Sequence, residues 1–591
     1  MKRIWTDRKS FLLFGILLAG LSGCVESQPK PLISPRAVTV PMDQPFQFTA
    51  DVIDTTNSSV TWSIANNTDG SLGSIDPNLG IYTPPAVIPT PNTVTIQVST
   101  NADQSSTDSV VATIVSRNML RFGENFQITN YGAINPCEVN TTAILSSTFS
   151  SGQHSVKIYQ KPASGKKQVT YVFMVWADNN LGNPNNDIFF RQITFDPNNT
   201  GMICGGIIQV NAAGFTANRM NPSLAVHSNG DVYIAWQDNR DPLNPGTPKG
   251  DFDIYVAKGR FDNKLSGGSG TPSNGIVGFG GDVMLSDGTA GTEQTNPSVA
   301  TEGGNIYAAW QDNQSGNFNI RFAKGTPTPA TGTPPQNSFT ANASVPINTF
   351  AAADQTTPTL VNSGGTFYVA WTDARNGNND IFIAKSTNGG TSFIALIDPN
   401  DSNKHYIRVN DDTVANGFPD TADQTAPSLA LDIKGYIYVT WQDKRNGNYD
   451  IFFAKSIDGG DRFDAATDPN NPKEHNVRVN DDTIANGYLD NADQAHPSIT
   501  VEKTEPNAIA TTPDKIYIAW QDDRWGSQDI ITSKSMDGGN TFWTNSAPAD
   551  NDPLTSPNSD SSIAVDTFGR AYLIWTGTSS SASDVFFTIG Q

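Results

Sequence analysis

The chain has 591 residues and a formal net charge of −21, with 16% charged and 37% apolar residues. Its 30 Phe, 15 Tyr and 11 Trp exclude an acidic disordered tail. No Ala-, Glu-, Lys- and Leu-rich run supports a helical bundle, and the acidic balance excludes a partner held by its phosphates, so no nucleic acid is expected. At about 150 residues per domain the length suggests about four domains, a prior that the repeats below replace.

The N-terminus reads as a processing signal. Lys2, Arg3, Arg8 and Lys9 precede an apolar stretch from Phe11 to Leu21 that is too short to span a bilayer comfortably. It closes on Leu21-Ser22-Gly23-Cys24, which resembles the bacterial lipobox. The resemblance implies a signal peptide over 1–23 and a lipidated Cys24 as first mature residue, anchored by acyl chains at ~0.8 kcal/mol per buried CH₂. An ordinary signal peptide with an incidental cysteine is the alternative. Val25 follows, not the Asp that resembles an inner-membrane retention signal in Gram-negative lipoproteins, so an extracytoplasmic, outer-membrane or surface location is implied. Losing 1–23 removes four basic side chains and one acid, Asp7, and takes the charge from −21 to −24. An oxidising compartment permits a disulfide between Cys137 and Cys204, although their spacing does not establish one.

Residues 24–36 read as a tether. Short alternating strands follow at 37–40, 46–52, 60–64, 94–99 and 109–115, separated by turn-rich pieces such as Asn66-Asn67-Thr68-Asp69-Gly70. Trp62 is the expected core anchor. The run Gly73-Ser74-Ile75-Asp76 to Gly80-Ile81-Tyr82-Thr83-Pro84-Pro85 resembles bacterial Ig-like domains, which implies a β-sandwich over 37–117. A spacer and an adhesive module are both open as its role.

Residues 118–591 are a repeat array. A unit of the form Tyr-x-x-Trp-x-Asp-x-Arg-x-Gly-x-x-Asp-Ile places its Trp at 176, 236, 310, 371, 441, 520 and 575. Each copy reads as four strands. In the fifth, the first covers 427–431, the second 436–441 and the third 451–455, and the fourth ends at Val477-Arg478-Val479-Asn480. Four-stranded units repeated around an axis make a β-propeller. The last unit lacks its fourth strand, and residues 121–130, with Phe126-Gln127-Ile128, resemble one. The expected fold is therefore all-β: an Ig-like sandwich, then a seven-bladed propeller closed by strand exchange, with six or eight blades as the alternative.

Three turns narrow the family. Ser386, Asn388, Gly390 and Phe393; Ser456, Asp458, Gly460 and Phe463; and Ser535, Asp537, Gly539 and Phe542 match the Asp-box of sialidase-like propellers, with Asn388 a departure. The carboxylate accepts turn N–H bonds, glycine supplies positive φ, and the ring packs into the blade. In that family the turn lies away from the active face, so it implies fold and not activity.

The resemblance suggests a glycosidase, but the expected arginine motif of sialidases, Arg-Ile-Pro or Arg-Leu-Pro, does not occur. Like residues recur where a catalytic site needs unlike ones, so no catalytic residue or catalytic cofactor is assigned. The loops between second and third strands carry Asp238/Arg240, Asp312/Gln314, Asp373/Arg375, Asp443/Arg445 and Asp522/Arg524. These read as hairpin caps or as a ligand face, with Trp525 placed to stack on a sugar ring. Asp411, Asp412, Asp481 and Asp482 could gather oxygen ligands for Ca²⁺. The functional expectation is a lipid-anchored protein that binds a glycan or protein partner without chemistry. A divergent sialidase-like hydrolase and an outer-membrane assembly factor are the alternatives.

Overall fold

A computed structural model describes residues 30–34, 38–41, 46–53, 59–67, 70–85, 93–101, 105–115, 126–128, 154–161, 168–179, 185–195, 202–212, 216–241, 248–262, 275–331, 336–347, 352–393, 407–410, 421–464, 466, 475–480, 492–502, 514–524, 526–544, 549, 557–579 and 582–590. The chain divides into two compact units, Met1–Asn118 and Met119–Gln591. All regular structure described is β, so no helix there is long and apolar enough to cross a membrane.

In the first unit a four-stranded sheet runs Val38–Pro41, Thr107–Val115, Thr93–Thr100, Val60–Ile64, its first pair parallel. A three-stranded sheet joins Phe46–Gln47, Ile81–Thr83 and Ser74–Ile75. Thr93–Thr100 alternates inward and outward, as a strand with one buried face must. Val94, Ile96 and Val98 pack with Phe48, Trp62 and Tyr82 in one core. Trp62 is the buried anchor expected, and Gly80 makes room for it: at φ 71° a side chain there would be strained and would press on the indole. The tether expectation needs correcting. Lys30–Ser34 is a strand paired with Thr49–Ile53, and Ile33 is buried in the core. Pro31 masked it, but proline is tolerated on a strand with a free edge.

The second unit contains seven sheets of one design, described over 155–209, 219–284, 294–346, 355–408, 424–478, 494–544 and 558–590 and called sheets 1 to 7 here. Each is an antiparallel meander counted outward from its first strand, the architecture of a β-propeller; the fourth position is one strand in sheets 4 to 7 and two short strands, both paired with the third strand, in sheets 1 to 3. Sheet 7 supplies three strands from the C-terminus, and Phe126–Gln127 completes it by pairing with Phe587 and Phe586. All seven repeat tryptophans are buried, as a blade-core role requires.

Two devices join neighbouring sheets. The first lines the axis. In sheets 2 to 7 the first strand carries a β-bulge in which two residues face one, the repeat tryptophan. The bulge residues Asn221, Asn296, Thr357, Ala426, His496 and Asp560 all have φ between 49° and 53°. A hydroxyl two residues later accepts from the next sheet: Ser223 Oγ from Val299 N (3.2 Å), Ser298 from Leu360 (2.9 Å), Ser428 from Ile499 (3.3 Å), Ser498 from Ile563 (3.2 Å) and Ser562 from Val156 (3.3 Å). The last of these links sheet 7 to sheet 1.

The second device is the Ser-x-Asp/Asn-x-Gly turn that follows the third strand of sheets 4 to 6. Ser456 Oγ donates to Asp458 (2.8 Å) and accepts from Gly460 N (2.9 Å), while Asp458 accepts from the Asp461 and Arg462 N–H groups. The turns at 386 and 535 bond alike. The aromatic ring does not pack only within its own blade. Phe393 meets Phe322 and Phe542 meets Phe453, each on the preceding sheet. Lys385 and Lys455 of a preceding sheet donate to the turn carbonyls of Gly459 and Gly538.

Two substitutions check these devices. Ser428→Ala leaves the buried Ile499 N–H without its partner and lowers stability by about 1–3 kcal/mol. Gly539→Ala, at φ 98° with a Cβ overlapping the Phe453 ring, costs at least as much. Both are read as lowered midpoints in urea at unchanged slope.

Candidate functional site

The Asp–Arg pairs of the repeat are internal clasps. Asp238, Asp373, Asp443 and Asp522 are completely buried. Each accepts the indole N–H of the tryptophan two residues before it, at 2.8–3.1 Å, and the backbone N–H two residues after it. Arg445 and Arg524 close on Asp443 and Asp522 at 2.7 Å, and Arg240 and Arg375 close on Asp238 and Asp373 in the same way. The guanidinium planes of Arg240, Arg375 and Arg445 then cover Tyr255, Phe382 and Phe452, rings that also stack on the repeat tryptophans. These residues therefore face one another and not an open surface. Loop spacing could not show this, because it fixes position along the chain and not side-chain direction. Asp423 and Asp493 likewise cap loop N–H groups of Asn379 and Tyr449.

Trp525, Asp411, Asp412, Asp481, Asp482, Cys24 and Cys137 lie outside the described residues. Among the described residues no group of three His, Cys, Asp or Glu side chains is placed to hold a metal ion. Cys204 is disulfide-bonded.

Among the described residues a concave site lies on the axis. A cavity of about 290 Å³ is lined by the first strands of all seven sheets. Its wall mixes hydroxyls (Ser223, Ser298, Thr359, Ser428, Ser498, Ser562) with the apolar Leu224, Val299, Leu360, Leu429, Ile499 and Ile563 that follow them. Lys157, Asn296, His154, His496 and Asp560 add polar groups, and among the described residues the wall holds one carboxylate and no arginine. His496 Nδ1 lies 3.8 Å from Asp560 Oδ1. His154 is 7% exposed, with neither ring nitrogen hydrogen-bonded. Burial pushes its pKa down to about 4, against the weaker opposing pull of Asp560. A signal for this site exists in the sequence: Arg219-x-x-Pro-Ser, Gln294-x-x-Pro-Ser, Gln424-x-x-Pro-Ser and Gln494-x-x-Pro-Ser repeat at the bulge. The more prominent tryptophan unit draws attention away from it.

Two expectations follow. Asp443→Ala strips a buried arginine and an indole of their acceptor, so it lowers unfolding free energy by about 3–5 kcal/mol, measured by denaturant titration. His154 is neutral in the fold down to about pH 4 but protonates near 6.5 when unfolded. The unfolded state thus binds the extra proton, and stability falls as pH drops from 6.5 towards 4, by about 3 kcal/mol in total. Comparing the pH dependence of unfolding free energy in wild type and His154→Phe isolates this contribution, which the variant lacks.

No protein-family model matches the sequence, and no curated protein does. Among solved structures the chain is similar to a Trypanosoma rangeli sialidase in complex with sialic acid, at 12% identity over 79% of this chain and 59% of that one, TM-score 0.33. It is also similar to the polysaccharide lyase Uly1, at 10% identity over 79% and 99%, TM-score 0.43. A third is a Penicillium chrysogenum α-L-arabinanase complexed with arabinobiose, at 11% over 62% and 92%, TM-score 0.33. None of these likenesses carries the fold or the chemistry, which rest on the strand pairing and side chains above.

Proposed function

We propose that this chain is an envelope lipoprotein, anchored through Cys24, whose Ig-like sandwich carries a closed seven-bladed, Asp-box propeller that binds a glycan without catalysis. The observation that supports the binding reading is the axial cavity. Hydroxyls and a few convergent polar groups alternate with apolar side chains there, which matches the two faces of a sugar ring. At about 290 Å³ it admits one or two sugar units and not a folded partner. Glycoside hydrolysis ordinarily needs two carboxylates flanking the bond, about 5–9.5 Å apart. Asp560 is the single carboxylate of the described wall, which favours binding over turnover. The Asp–Arg pairs at 238/240, 373/375, 443/445 and 522/524 are bonded within their own sheets and are not part of the cavity wall.

A glycan array beside a hydrolysis screen on sialosides and other glycosides tests the proposal. The expected outcome is retained glycan without released sugar. Turnover that Asp560→Asn abolishes would establish the hydrolase alternative instead.

A further inference from the structure

Repetition separates what the fold needs from what it does not. At the residue immediately before the axial hydroxyl, sheets 2 to 6 carry Pro222, Pro297, Pro358, Pro427 and Pro497. Proline suits a bulge on a strand with one unpaired edge, since it needs no ladder partner. Sheets 7 and 1 break the pattern. Register places Ser562 opposite Ile574 and Ser155 opposite Val175, each one residue before the repeat tryptophan, as Ser498 is placed opposite Ala519. The proline position is therefore filled by Ser561 in sheet 7 and by His154 in sheet 1.

These two replacements are adjacent across the seam, and they share a second property. Ser561 Oγ and both nitrogens of His154 are buried and lack a protein hydrogen-bond partner, although both residues line the axial cavity. The two residues are 8% and 7% exposed. A buried polar group left unpaired costs about 1–3 kcal/mol, and five sheets avoid that cost at the same position with proline. Both departures thus work against stability at neighbouring points of one wall. Asp560, which precedes Ser561, and His496 border the same wall.

We propose that His154, Ser561 and Asp560 form a recognition edge for a neutral vicinal diol, one edge of a sugar ring, seated against sheets 7 and 1; this rests on the cavity being a glycan site. A neutral imidazole offers one donor and one acceptor, a hydroxyl offers both, and a carboxylate accepts two hydroxyl protons. Two adjacent sugar hydroxyls together donate twice and accept up to four times, so they can take the imidazole N–H and the serine O–H while giving their own protons to the imidazole's acceptor nitrogen and to the carboxylate. An anionic group would meet Asp560, and a cationic group would meet Lys157, which lines the same cavity from sheet 1.

The test titrates wild type, His154→Phe, Ser561→Pro and the double variant with methyl glucoside, methyl galactoside and methyl mannoside by ligand-observed NMR. Glucuronate and glucosamine are the charged counterparts. Ser561→Pro restores the residue of the other sheets, so it keeps the fold and carries the test if His154→Phe does not fold. At least one neutral glycoside should bind wild type, at least tenfold weaker to each variant, with thermal midpoints of the variants equal to or above wild type. Variants that bind within twofold of wild type overturn the recognition edge while leaving the glycan reading intact. So does a charged sugar that binds tenfold tighter than its neutral counterpart. If wild type binds none of the neutral glycosides, the orphaned groups hold water only and the proposal fails, whatever the array retains.

Discussion

The hydroxyl-to-amide bond between neighbouring first strands is the contact on which the second unit depends. A strand at the inner edge of a sheet presents unpaired backbone groups, and seven such edges face one axis. Direct pairing between them would merge the sheets. The bulge prevents this by turning the edge, the following proline removes a donor, and the serine hydroxyl then takes one N–H from the next sheet. Left-handed φ in non-glycine residues costs of order 1–3 kcal/mol each. At three bulges it is held from the preceding sheet: Gln237, Gln311 and Gln442, each one residue beyond a repeat tryptophan, accept from the N–H of Asn296, Thr357 and His496 in the following sheet. The tryptophan faces the bulge in register and the glutamine follows it, so bulge, tryptophan and glutamine recur as one unit of construction.

Much of this was legible from residues alone, and the failures have physical causes. The tryptophan period, the four strands and the late completion of sheet 7 by Phe126–Gln127 all follow from alternation and repeat length. The Ser-x-Asp-x-Gly turns form the bonds their residue types require. What the sequence did not show was direction. Asp443 and Arg445 look like a polar surface in a loop, yet hairpin geometry turns both under the strand, where the indole of Trp441 and the ring of Phe452 enclose them. Phe393 reads as a ring for its own blade, yet it reaches Phe322 on the preceding sheet. Lys30–Ser34 reads as linker because Pro31 breaks the pattern, and only the pairing with Thr49–Ile53 identifies it as a strand. The axial cavity is hard to see in the sequence because its lining comes from seven separate segments, each contributing three to five residues that mean little alone.

The distribution of charge also takes a narrower meaning. Acids in the repeated loops serve Trp N–H, Arg and backbone N–H groups, so much of the net −21 is committed inside the fold and is not a field for steering ligands. On the far ends of the strands a second set works alike: Tyr438 donates to Asp432 and Asp514, Tyr517 to Glu502 and Tyr572 to Asp566. Burial together with these acids holds the phenols of Tyr438, Tyr517 and Tyr572 well above their ordinary range, so they act as permanent donors.

The seam between sheets 7 and 1 obeys a different constraint from the other junctions. Elsewhere a sheet meets the next one in the chain, and the repeat supplies both sides. At the seam, residues about 400 apart must meet, as in the bonds of Val156 to Ser562, Thr567 to Gln160 and Arg570 to Thr170. Arg191 of sheet 1 further ties the completing strand by donating to Ile128 O at 2.6 Å. Closing so long a loop is entropically only modestly dearer than closing a short one, but the repeat does not supply both sides of the contact. The seam therefore needs its own side chains, and a junction already outside the repeat's template is free to accept residues the template excludes. His154 and Ser561 occupy that junction. The break in sequence symmetry and the break in hydrogen-bond satisfaction coincide there because the seam is where the array is least bound to repeat itself.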